Sequence, residues 1–232
     1  ADGATLTLAA DYSLMPGASI VSGAASSLVI NNGTLTLGTD IAASNMTFSA
    51  GNITGAGKLT LSGTTTWNGG AMSGAGSTHI NAGSSLNMAG VTGSPVINGR
   101  TVEIAGTGTA DAGSMLLQNG GTLNVVPGGA LALRGSQISY SGGNVPGTLN
   151  VMGGATLTRS GTNYAQTAVY IPFNNSGTVN VTQGGLQLNG GGSASGSFNV
   201  ATGATVAFNS DYTLAAGALL AEAGTDSFAG ST

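Results

Sequence analysis

The stretch Gly121-Thr122-Leu123-Asn124-Val125-Val126-Pro127-Gly128-Gly129-Ala130-Leu131-Ala132-Leu133 holds two short strands and the turn between them. Leu123 and Val125 alternate with polar Thr122 and Asn124, and Leu131 and Leu133 resume the alternation after Pro127-Gly128-Gly129. Alternation over so few residues means a strand with one buried face, and a Pro-Gly step is turn chemistry. The opening phrase is Gly, small or polar, apolar, polar, apolar. It returns at 33–37, 57–61, 147–151, 177–181 and, with Ser197 and Phe198, at 196–200. Looser copies begin at Gly76 and Gly99. The opening glycines fall at 33, 57, 76, 99, 121, 147, 177 and 196, with intervals of 19 to 30 residues. A strand phrase recurring at this period is the signature of a solenoid.

The second pair has counterparts. Val179/Val181 is followed by Leu186/Leu188, and Phe198/Val200 by Val206/Phe208. A weaker third element follows, as at Met46/Phe48, Ile138/Tyr140 and Leu214. Three short strands per coil predict an all-β chain, a single parallel β-solenoid of about nine coils over residues 1–232. Leu35, Leu59, Leu123, Leu149, Val179 and Phe198 are expected to share one interior column. No apolar stretch of 3.6 period is long enough for a convincing helix.

Charged residues are 5% of the 232, against 41% hydrophobic, and glycine reaches 42 residues without the every-third register of collagen. A solenoid accounts for both, because its turns use Gly and Asn and its surface is solvated by hydroxyls and amides. The net charge is −4, with only Lys58, Arg100, Arg134 and Arg159 positive. Phosphate neutralisation needs clustered cations, so no nucleic acid is expected as a partner. Long apolar runs are missing, so no membrane insertion by this segment is expected. With no cysteine there are no disulfides and no thiolate zinc sites. The chain opens Ala1-Asp2-Gly3, which reads as a mature product or an excised piece. Residues 3–18 resemble residues 203–218, which suggests that the first coil is like the last. Neither end shows a capping pattern, and a section of a longer repetitive exported protein is expected.

Motifs of catalysis are scarce. The single histidine, His79, falls where other copies of the phrase carry Asn, on the outward side of a strand. No nucleophile elbow, phosphate loop or calcium nonapeptide occurs. A polysaccharide-cleaving β-helix needs acids stacked on neighbouring coils. Here Glu103 stands between His79 and Asn124, and Asp111 lies in a turn. No catalytic residue, cofactor or metal site is assigned.

Two features suggest binding. If Leu123 and Val125 point inward, Thr122 and Asn124 point outward. Stacking the coils then gives Thr122/Asn124, Thr148/Asn150, Thr178/Asn180 and Ser197/Asn199 on one flat face. Such a face is either a structural amide ladder or a lattice for ice or glycan. The interval from Gly147 to Gly177 is the longest, and its extra material reads as a loop-like insertion at 159–173. Arg159, Tyr164, Tyr170 and Phe173 lie there, and insertions in solenoids often emerge on the binding face. Trp67 is expected to fill a wide coil or cover a turn.

The recurring Gly-Thr-Leu-Asn-Val, with Gly-Gly-Ala-Leu-Ala-Leu behind it, resembles the passenger repeats of bacterial autotransporters and filamentous-haemagglutinin-like adhesins. The resemblance covers most of the chain. It implies a right-handed β-helix, export across the outer membrane, and adhesion, aggregation or surface coating. The partners it implies are host or bacterial surface glycans or proteins, or copies of the chain itself, end to end or side by side. Its binding sites lie in divergent loops, so no functional residue carries over. A rod-like, non-catalytic segment of a secreted or cell-surface protein is therefore expected. The alternatives are a glycan- or ice-binding module and, behind it, a polysaccharide-cleaving enzyme.

Overall fold

Alternating apolar residues can bury one face of a strand only if the chain keeps returning to the same interior. In a computed structural model, which describes residues 3–20, 23–141 and 145–229, the chain does so in about ten coils. That is one more than the repeat count suggests. Every strand pairing is parallel, and the two antiparallel contacts, Ser73 with Gly99 and Gln118 with Pro146, are isolated bridges. No described residue is helical.

Each full coil visits three stacks of strands, here called lanes. Lane one runs from Thr5–Leu8 to Leu219–Glu222, and lane two from Tyr12–Leu14 to Thr225–Phe228. Lane three closes the cross-section and ends at Tyr212–Leu214. The long strands Ile41–Phe48 and Leu59–Trp67 turn the corner from lane three to lane one without a break, which joins those lanes into one sheet. At that corner Asn45 takes a left-handed conformation (φ 51°). Its side-chain amide donates to the carbonyls of Ala24 and Ser26, and its oxygen accepts from the Thr64 amide.

The inward columns form one continuous apolar core. Phe48 and Trp67 are register partners on successive coils and stack at 5.9 Å. Trp67 is fully buried, as a filler of a wide coil should be, and its indole N–H donates to the Gly69 carbonyl at 2.9 Å. Near the other end, Phe198, Phe208 and Tyr212 from three lanes pack edge to face or tilted. Gly108 stands inward in lane one, where a Cβ would come within 2.9 Å of Ile104 Cδ1. The corner glycines have another reason. A Cβ on Gly57 would stand 2.1 Å from the Thr39 carbonyl oxygen, and one on Gly196 would stand 2.1 Å from that of Gly177. Coil corners stack backbone on backbone, and neither residue has a positive φ.

The six residues expected in one interior column are all buried but do not share a column. Leu35 lies in lane two. Leu59, Leu123 and Leu149 lie in lane three, where Phe173 succeeds Leu149. Val179 and Phe198 stack in lane one on Leu157. The phrase encodes a strand with a buried face, and all three lanes accept it. For the same reason the stretches at 3–18 and 203–218 are alike without being the same coil. Thr5–Leu8 is in lane one, whereas Thr205–Phe208 is in lane two.

Candidate functional site

The outward positions carry the chemistry available to a partner. In lane three the register places His79, Glu103, Asn124, Asn150, Asn174 and Ser193 in one column. His79 Nδ1 lies 3.1 Å from Glu103 Oε2, both side chains partly exposed. Asn150 donates to Asn124 at 2.8 Å, Asn174 to Asn150 at 3.0 Å, and Ser193 to Asn174 at 3.2 Å through both its amide and its hydroxyl. Asn199 donates to Asn180 at 2.8 Å in lane one, and Asn209 to Asn189 at 2.8 Å beside lane two. Each amide bond in these ladders points from the later coil to the earlier one. Amides so engaged have spent one donor and one acceptor on each other, and such bonds stabilise by about 1 kcal/mol each.

The flat face expected from Thr122 to Asn199 is divided between two sides of the rod. Thr122 and Asn124 stack on Thr148 and Asn150 in lane three, and the column continues into Asn174. Thr178 and Asn180 stack on Thr156 and Thr158 in lane one, followed by Ser197 and Asn199. Between the two halves the phrase slides from lane three to lane one.

The 159–173 segment is also not a single loop. Residues 160–165 leave the strands between Thr156–Arg159 and Gln166–Val169, residues 170–172 turn the next corner, and Phe173–Asn175 is again a regular strand. Phe173 is a core residue and Tyr170 an exposed one on another corner. Tyr164 is half-buried in the loop, with its hydroxyl over Gly113. Arg159 has no exposed surface. Its Nε donates to the Gly185 carbonyl at 3.2 Å, one terminal nitrogen to those of Ser160 and Gly161, and the other to that of Tyr164 at 2.6 Å. Burial pushes its pKa below the usual arginine value. The four residues therefore do not converge on one ligand. A second extra segment lies at the lane-two to lane-three corner, so that Ile138 and Val169 are register partners 31 residues apart. Part of it, 142–144, lies outside the described residues.

Arg100 is the other buried cation, and its pKa is lowered by burial to about 10. It donates to the Thr78 hydroxyl and to the carbonyls of Gly55, Gly57, Ser73 and Ser77. All five donors have acceptors, two of them on the coil before last, so Arg100 staples corners together.

The acids were under-read in the sequence. Asp2 lies outside the described residues. Glu103 pairs with His79, and Asp111 lies 3.7 Å from Arg134 in a half-exposed pair. Glu222 and Asp226 meet at the final corner, because they succeed the buried Val200 and Val206 in inward columns. The Asp226 carboxyl oxygens are buried and have no donor when ionised. Burial, then the hydrogen bond and charge of Glu222, raise its pKa to about 7. The signal was an acid at an apolar position of the alternation, 219–222 and 225–228. Among the described residues no three His, Cys, Asp or Glu side chains gather as metal ligands, and no helix is long and apolar enough to cross a membrane.

Three of the hollows among the described residues are large enough to hold a ligand. One of about 460 Å³ opens into the first coil and is lined mainly by Leu6, Leu8, Tyr12, Leu14 and Ile20. A groove of about 480 Å³ follows Thr158, Asn180 and Asn199, and a cleft of about 340 Å³ of mixed lining adjoins the 160–165 loop. Compared with protein-family models, curated proteins and solved structures, the chain matches none.

Proposed function

We propose that this chain is a non-catalytic structural and adhesive rod of a bacterial secreted or cell-surface protein, presenting its polar flanks to surface glycans or proteins or to copies of itself. The observation that carries this is the outer surface of the coils. It is built from axial amide and hydroxyl ladders that join coil to coil, with four cations in the whole chain, two of them buried inside as staples. That chemistry makes a stiff, sparsely charged, water-compatible column. The likeness of its repeats to adhesin passenger repeats agrees with export.

The test is an adhesion assay beside an activity assay. Beads coated with the chain are expected to adhere to bacterial or host surfaces, or to one another, more than beads coated with an unrelated β-protein. The chain is expected to release no product from acidic or neutral polysaccharides. Turnover that disappears in Glu222→Gln, Asp226→Asn, Glu103→Gln or Asp111→Asn would replace the rod by an enzyme.

A further inference from the structure

The 160–165 loop is fastened in a way that a simple overlength turn does not need. Arg159 gives up its hydration to hold the loop from inside, through the carbonyls of Ser160, Gly161 and Tyr164. The Gly161 amide donates to Gln183 Oε1 at 3.1 Å, and the Thr182 hydroxyl donates to the Arg159 carbonyl at 3.0 Å. On its other flank Gly161 lies against the Arg134 stem. An unpaired buried guanidinium is costly, and its lowered pKa reflects that cost. The return is a loop fixed before any ligand arrives, which removes an ordering penalty from binding.

The next two coils turn the same corner with shorter segments, 182–184 and 201–204. The loop therefore stands as a ledge above them. Gly161, Thr162 and Tyr164 form the riser of this step, and Gln183, Thr202 and Gly203 form its tread. The cleft lies beside the groove that follows Thr158, Asn180 and Asn199, and the two share Thr182 as a wall. Together they run along the solenoid axis. No Lys or Arg lines either hollow, and the sole acid is Glu222 at the far end.

We propose that this stepped channel binds a linear, uncharged glycan, with one end against the 160–165 ledge. The chemistry selects that class. Phosphate, sulfate and uronate ligands would find no cation on the walls. A purely apolar ligand would desolvate the amides and hydroxyls of Gln183, Thr162, Thr202 and Thr158 without replacing their bonds, whereas a sugar can also lay its C–H faces on the lining at Val181, Val200 and Ala221. Sugar hydroxyls can both donate to and accept from such groups. The wall repeats at roughly 4.8 Å per coil, so it suits a polymer of repeating rings lying along the axis better than a single compact sugar.

This rests on the reading of the coils' outer flanks as a presenting surface. The intact chain is titrated calorimetrically with cellohexaose, maltohexaose, mannohexaose and chitohexaose, with hexagalacturonate as the charged control. At least one neutral hexasaccharide is expected to bind, and more tightly than its own disaccharide. Thr202→Trp fills the cleft from an exposed turn and is expected to weaken binding at least tenfold with unchanged melting. Thr107→Trp, on lane one but away from the channel, is expected to leave binding intact. Failure of every neutral hexasaccharide, preference for hexagalacturonate, or indifference to Thr202→Trp overturns the site. Binding that follows this pattern but is accompanied by cleavage supports the site and overturns the non-catalytic proposal, so the two fail separately.

Discussion

Asp226 is the residue whose ionisation the fold opposes most clearly. Folded, it holds its proton to about pH 7, against 3.8 for a free carboxyl, because it is buried and faces Glu222. A raised carboxyl pKa contributes stability at low pH, and the contribution declines as pH rises from about 4 to about 7. The corner at 219–229 should therefore loosen over that window. Asp226→Asn is expected to abolish the slope, matching the parent at pH 4 and exceeding it in melting temperature at pH 8. A parent melting profile flat between those values would contradict this. Gly196 answers to geometry instead. Gly196→Ala drives a Cβ into the Gly177 carbonyl, and the backbone shift should cost about 1–3 kcal/mol in urea denaturation. Arg100→Leu removes a donor from four corner carbonyls, of which Gly55 keeps the Gly76 amide, for a loss on the order of 3 kcal/mol. The glycines were visible in the sequence, but the neighbour that makes each one necessary lies about a coil away. The buried role of both arginines was equally hidden, because an Arg at an inward strand position looks the same as one in a loop.

At the scale of the strand, alternation and turn chemistry were local and therefore legible. Leu123/Val125, Leu131/Leu133 and Phe198/Val200 are buried where the alternation places them. What strands encode poorly is their neighbour. The ladder Asn124–Asn150–Asn174 includes Asn174, which belongs to no copy of the Gly-Thr-Leu-Asn-Val phrase, while Asn180 and Asn199, which do, lie in another lane. Register in a solenoid depends on the length of every turn between partners, so two extra turns undo an extrapolation made from motif spacing. The ladder makes a graded prediction. Asn150 is bonded on both sides, whereas Asn199 has one amide partner. At about 1 kcal/mol per bond, Asn150→Ala should lose about twice what Asn199→Ala loses in chemical denaturation. Equal losses would mean that the amides act singly.

For the molecule as a whole, about ten coils at roughly 4.8 Å make a rod about 50 Å long, measurable by small-angle scattering. Its two ends differ from its middle. Leu6 is 45% exposed and Phe228 61%, at positions whose partners on the neighbouring coil, Leu28 and Phe208, are buried. Parallel strands also keep the same direction in a copy translated along the axis. The isolated chain is therefore expected to associate head to tail, and more at pH 5 than at pH 8, where Asp226 would carry its charge into the contact. Sedimentation velocity showing a strict monomer at both pH values and high concentration would refute this. The interchangeability of the three lanes has a consequence for how such a rod can vary. Because one strand phrase suits any lane, gaining or losing a single strand and its turn leaves a foldable solenoid, but swings everything downstream by about a third of a revolution. A ledge or channel can thus be re-aimed to a different compass bearing without being rebuilt, and the rod behaves as a dial as well as a spacer.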